Sequence, residues 1–144
     1  MIRILFVILG AALCLTGVSP SDEPPAAFQK CQTEHGIPDL QSIMNPRSMT
    51  LNDVSNEAGR CFVECLMREF QILKGNKLES RKVLEEVNNM VQFARSQGKE
   101  FDVNKLKSSL TACGNQGGEG KCMKTYKMWE CMNNVVRQVR PAAT

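Results

Sequence analysis

Six cysteines follow an apolar leader: Cys31, Cys61, Cys65, Cys113, Cys122 and Cys131. The gaps between them are 29, 3, 47, 8 and 8 residues. Three intervening residues make Cys61 and Cys65 an i, i+4 pair, so on a helix both thiols leave from one face and can tie it to two other segments. Cys122 and Cys131 stand nine positions apart on a predicted last helix, close to half a revolution at 100° per residue. They therefore face opposite ways and reach different partners. Count and spacing alone leave open all fifteen ways of pairing six cysteines.

The leader fixes the redox compartment. Met1 and Arg3 precede an apolar run from Ile4 to Leu9, continued by Ala11, Ala12, Leu13, Cys14 and Leu15, and small or turn-forming residues follow at Gly17, Ser19, Pro20 and Ser21. A charged start, an apolar stretch too short to span a bilayer with ease and a small-residue exit read as a secretory signal peptide over residues 1–21. Its removal discards Cys14 and turns seven cysteines into an even six. It leaves a domain over residues 22–144 with 17 basic and 15 acidic residues. That near balance, with the signs interspersed, makes no electrostatic case for nucleic acid. In a secreted chain a disulfide framework is the stronger reading of the cysteines. Zinc knuckles need short spacers in pairs, and only one spacer here is that short.

Apolar spacing predicts a helical chain. A first helix covers residues 26–35, carries Cys31 and stops at Gly36; irregular chain follows through Pro38 and Pro46, with a short helical turn at residues 50–55. From Glu57 the positions Ala58, Cys61, Phe62, Cys65, Leu66, Ile72 and Leu73 keep helical spacing as far as Gly75, and Arg60, Glu64 and Arg68 make a charged stripe on the opposite side. Val83, Leu84, Val87, Met90, Val91 and Ala94 define the next helix, with Ser80 as N-cap and Gly98 as stop. Asp102 caps a helix that presents Val103, Leu106, Leu110 and Cys113 and closes at Gly114. The Gly117, Gly118 and Gly120 cluster is a turn and not a phosphate loop, because no Lys-Ser/Thr pair follows. Residues 121–139 form the last helix, and no segment shows strand alternation.

Catalytic chemistry has little to build on. His35 is the sole histidine, and beside Gly36 it reads as a helix-end residue and not as the base of a nucleophile pair. Glu85 and Glu86 are adjacent, so they diverge on a helix and read as a solvated edge rather than a carboxylate pair.

The whole pattern resembles the insect odorant-binding protein family, of the pheromone and general odorant-binding type. What carries the likeness is one cysteine in the first helix, Cys-x3-Cys on a middle helix and Cys-x8-Cys-x8-Cys near the end, behind a leader. The resemblance implies an all-α, compact six-helix disulfide-stapled domain enclosing an apolar cavity, with the bridges Cys31 to Cys65, Cys61 to Cys122 and Cys113 to Cys131. It implies a non-enzymatic, secreted carrier with no cofactor and no metal, either of odorants in sensillar lymph or, as members also act outside smell, a non-olfactory carrier of apolar small molecules. The ligand is a small apolar molecule such as an alcohol, ester, aldehyde or terpenoid. A homodimer and transient contact with a membrane chemoreceptor fit the same picture. The long gap from Cys65 to Cys113 leaves the layout of the fourth and fifth helices open.

The side chains assigned to the cavity are Phe62, Leu66, Met67, Phe70, Leu73, Val87, Met90, Val91, Leu110, Met123, Tyr126, Trp129 and Val135. Each singly suits an ordinary helical core. As a set, the methionines and aromatics adapt to varied apolar guests, and Tyr126 or Trp129 offers a hydrogen bond either to a ligand oxygen or to protein. Val135, Val136 and Val139 are expected to act as wall or lid. Two other readings are weaker: a cystine-stapled, lipid-interacting defence protein would need a contiguous cationic face, and a small hydrolase would need a catalytic motif.

Overall fold

The computed structural model of the chain describes residues 25–138, so the predicted leader and Val139 lie outside the described residues. Six helices lie within that span: α1 (Ala26–His35), α2 (Leu40–Ile43), α3 (Glu57–Glu69), α4 (Ser80–Ser96), α5 (Val103–Cys113) and α6 (Met123–Arg137). Two small antiparallel ladders interrupt them, β1 (Met44–Asn45) with β2 (Thr50–Leu51) and β3 (Leu73–Lys74) with β4 (Lys77–Leu78).

Local chemistry sets the helix ends. The α1 helix follows Pro25, whose carbonyl accepts from the Phe28 N–H at 2.8 Å. It stops at Gly36, which takes φ +64°, a region open to glycine, and lets the Ile37 N–H reach back to the Gln32 carbonyl at 2.9 Å. The Asn56 side chain accepts from the Gly59 N–H at the start of α3, and Asp102 accepts from the N–H groups of Asn104 and Lys105 at the start of α5.

The interior forms where α3 meets its neighbours. It packs against α1 on one side and α6 on another, while α5 joins α6 to α4. Phe62, Val63, Leu66 and Met67 of α3 are fully buried, as are Leu110 of α5 and Tyr126 of α6. Val83, Val87, Val91 and Ala94 give α4 its buried face. Phe28 of α1 lies edge-on to Phe62, with ring centroids 6.3 Å apart, and 5.9 Å from Phe70. Such aromatic pairs add about 0.5–1.5 kcal/mol beyond the area they bury.

Three cystines tie this arrangement. Cys31 joins Cys65 (α1 to α3), Cys61 joins Cys122 (α3 to the turn before α6) and Cys113 joins Cys131 (α5 to α6). These are the pairs that the resemblance implies.

The structure departs from the sequence reading in five places. The α3 helix ends at Glu69 and not near Gly75, because Gln71 takes φ +58° and the chain turns into the β3–β4 hairpin around Gly75 at φ +61°. Ile72 and Leu73 therefore reach the core from a hairpin. The expected helical turn at residues 50–55 is instead β2 and a loop, and the short helix α2 comes earlier, capped by Asp39. Glu79, not Ser80, occupies the N-cap of α4. Cys122 precedes α6 as its N-cap at φ +59°, so the turn and not a half-revolution of helix sets its direction. Arg60 is buried at 6 % exposure rather than on a charged outer stripe. Its Nε donates to the Lys121 carbonyl at 3.1 Å and an Nη to the Val54 carbonyl at 2.7 Å, which gives the buried charge the partners it needs.

Candidate functional site

Twelve of the thirteen residues assigned to the cavity converge. Phe62, Leu66, Met67, Leu73, Val87, Val91, Leu110, Tyr126 and Val135 are buried in one apolar cluster, and Phe70, Met90 and Trp129 pack against it half-buried. They come from α3, β3, α4, α5 and α6, so no single helix makes the site. Met123 stands apart, because as the first residue of α6 it lies over Gly118 in the preceding turn, where a Cβ would come within 2.8 Å of its Cγ. Val136 is buried beside Val135 at the end of α6.

The polar tips at this interior engage protein, the Trp129 N–H as donor and the Tyr126 oxygen as acceptor. Asn52 donates to the Ile43 carbonyl across the β1–β2 ladder, so the neighbouring Leu51 turns its N–H away from the partner strand. The Tyr126 hydroxyl accepts it at 2.9 Å. Trp129 Nε1 donates to the Met49 carbonyl at 2.6 Å, and Asn133, itself buried, donates to the same oxygen at 3.4 Å. Met49 sits at φ +56° in the hairpin turn. Three side chains on α6 thus hold the β1–β2 hairpin over the interior. Burial raises the Tyr126 pKa above its ordinary value; the Leu51 N–H pulls it down and the Glu130 charge pushes it up.

His35 closes α1 half-buried, 3.9 Å from a Glu34 carboxylate oxygen. Glu34, His35 and Cys65 each bring one metal-binding type of atom within 4.8 Å of the others. The Cys65 sulfur is held in its bridge to Cys31, so the trio offers a cation two ligands and no thiolate. Glu85 is exposed and lies 3.9 Å from Lys82, as a solvated edge residue would. The Glu86 side chain lies outside what the structure describes. A surface cleft of about 330 Å³ runs past Glu34, His35, Glu64 and Arg68 and over two of the bridges. A second, of about 360 Å³, lies between the β3–β4 hairpin and α4, with Leu73 at its apolar floor.

The cystine frame, the helical order and the joined apolar interior agree with one further observation. The family model for the PBP/GOBP family matches residues 22–135. The chain belongs to the PBP/GOBP family. This is the odorant- and pheromone-binding family of insects, whose members are binding proteins and not enzymes. No curated protein and no solved structure matches the chain. Within the PBP/GOBP frame, sequence reasoning missed Phe28, Met49 and Asn133 as residues that border the interior. Phe28 lay on a helix of weak apolar pattern and signalled itself only as an aromatic three residues before Cys31. Met49 acts through its carbonyl, which no side-chain pattern reveals.

Among the described residues no helix is long and apolar enough to cross a membrane.

Proposed function

We propose that the chain is a secreted carrier that takes up small apolar molecules in its helical interior and conveys them through an aqueous lymph toward membrane chemoreceptors. Membership of the PBP/GOBP family over residues 22–135 carries this reading. Supporting the interior as the binding place is the convergence of Phe62, Leu66, Met67, Tyr126 and their neighbours from five elements into one apolar cluster. Supporting secretion are the apolar leader and a family match that starts at residue 22, just after the predicted cleavage point.

The physical basis is transfer of apolar surface out of water, worth about 25 cal/mol per Å² before ordering costs. A guest that hides about 500 Å² gains about 12 kcal/mol gross, which after about 4 kcal/mol of ordering cost leaves the micromolar range, about −8 kcal/mol, without covalent chemistry. Because eleven of the core side chains are fully buried, a guest meets them only inside, and the flexible methionines Met67, Met90, Met128 and Met132 let the interior reshape around it. With the Trp129 N–H bound to Met49, polar selection falls to Tyr126, whose oxygen accepts from Leu51 while its O–H can still donate to a ligand oxygen.

Displacement of a fluorescent apolar probe tests the reading. Long-chain alcohols, esters and terpenoids are expected to displace it, with sugars, nucleotides and free amino acids inert. Native mass spectrometry of the secreted protein would show a retained apolar guest. Probe binding that survives reduction and unfolding, or equal displacement by sugars, overturns the proposal.

A further inference from the structure

The three cystines differ in what a departing sulfur meets. Thiol–disulfide exchange puts an incoming thiolate on one sulfur and the electron pair of the broken bond on the other, so the sulfur that leaves must carry negative charge where it sits. Cys31 and Cys113 are fully buried in the apolar cluster, a setting that disfavours a thiolate. Attack on Cys65 releases Cys31 into that interior, and attack on Cys131 releases Cys113 there. The approach to both is also guarded. A Glu34 carboxylate oxygen lies 3.8 Å from the Cys65 sulfur and repels an incoming anion, and the Gln116 amide nitrogen lies 3.9 Å from the Cys131 sulfur.

The remaining bridge offers a better exit. Cys61 and Cys122 both line the surface cleft of about 330 Å³, and neither belongs to the apolar cluster. Cys122 is half-buried and is the N-cap of α6, a position where no side chain caps the helix and no acidic residue stands in the first turn. The positive end of the helix dipole therefore faces a departing Cys122 thiolate unopposed. Lys121 beside it adds a cation, partnered by Glu57 at 3.6 Å. The other cations of the cleft are engaged, Lys30 with Glu69 and Arg68 with Glu64.

We propose that the Cys61 to Cys122 bridge is a redox-sensitive joint that small thiols open ahead of the other two. A thiolate attacks the Cys61 Sγ, the Cys61–Cys122 bond breaks, and its electron pair leaves on the Cys122 Sγ. A second thiolate attacks the mixed disulfide at the sulfur that the first delivered, forming the oxidised thiol and releasing a Cys61 thiolate. Two thiols thus become one disulfide, and the two protons they gave up end on Cys61 and Cys122. This is the one cystine between α3 and α6, which pack against each other, so its opening leaves α6 tied covalently to α5 alone.

Reduced glutathione, added at neutral pH to the folded mature chain in the absence of oxygen, tests the order. Samples are quenched in acid, their free thiols are labelled with N-ethylmaleimide, and the peptides are mapped. Cys61 and Cys122 are expected to be labelled about tenfold faster than the other four cysteines. A trapped glutathione adduct is expected on Cys61, with the maleimide on Cys122 of the same molecule. In guanidinium chloride, where the helix end and the core are gone, the preference is expected to vanish. Earlier opening of either other bridge, opening of all three together, an adduct on Cys122, or the same preference in denaturant overturns the inference.

Discussion

Replacing Tyr126 by Phe isolates one atom. The ring stays in the core, so apolar burial is unchanged, and what disappears is the acceptor for the Leu51 N–H at 2.9 Å. That N–H points away from its own ladder, and both residues are buried, Tyr126 at 0 % and Leu51 at 7 % exposure. An orphaned buried donor costs about 1–3 kcal/mol, more than the net value of an ordinary hydrogen bond. With a urea slope near 2 kcal/mol/M, a loss of about 2 kcal/mol lowers the unfolding midpoint by about 1 M. The same loss is local, so amide exchange at Leu51 should accelerate about tenfold or more while amides in α5 follow only the global change. Denaturation with intact disulfides, paired with hydrogen exchange read by NMR, measures both. A midpoint within about 0.2 M of wild type together with unchanged exchange at Leu51 would refute the claim that Tyr126 anchors the β1–β2 hairpin.

Tyr126 is the only tyrosine, so absorbance of tyrosinate reports it alone. Its raised pKa means that its contribution to stability is complete below the ordinary value of 10 and is lost as pH rises through the higher folded value; titration at or below 10 in the native protein contradicts the burial described. Removing the Cys113 to Cys131 bridge with paired alanines frees a loop of 18 residues and should cost about 3 kcal/mol by loop-closure entropy, seen as a lower urea midpoint. Leu110→Ala, at a fully buried position of α5, is expected to cost about 2–5 kcal/mol; a cost under about 1 kcal/mol would mean that the interior collapses freely around the gap.

Cysteine spacing made the helical order and its neighbours legible, because a covalent frame leaves a one-dimensional trace. The bounds of α1 and the Asp102 cap of α5 were equally readable, since each depends on residues within one turn. The β3–β4 hairpin was not recognised, as Ile72 and Leu73 continue the helical apolar spacing of α3. The signal against a helix was the Gly75 and Asn76 pair, a two-residue hairpin turn flanked by Lys74 and Lys77. Arg60 was misread for another reason: its acceptors lie 6 and 61 residues away, so its burial depends on chain segments that no local window contains. The roles of Tyr126 and Trp129 were left between ligand and protein for the same cause, with partners 75 and 80 residues earlier.

Taken as intervals on the chain, the three bridges overlap like links: 31 to 65, 61 to 122, and 113 to 131. Every peptide bond between Cys31 and Cys131 is therefore spanned by at least one bridge, and a single proteolytic cut there opens the backbone without dividing the molecule. The overlap is uneven. Between Cys65 and Cys113, where the β3–β4 hairpin and α4 lie, the Cys61 to Cys122 bridge is the sole span. A chain nicked in that stretch is two polypeptides joined by one sulfur–sulfur bond, and it takes a reductant, not a second protease, to part them.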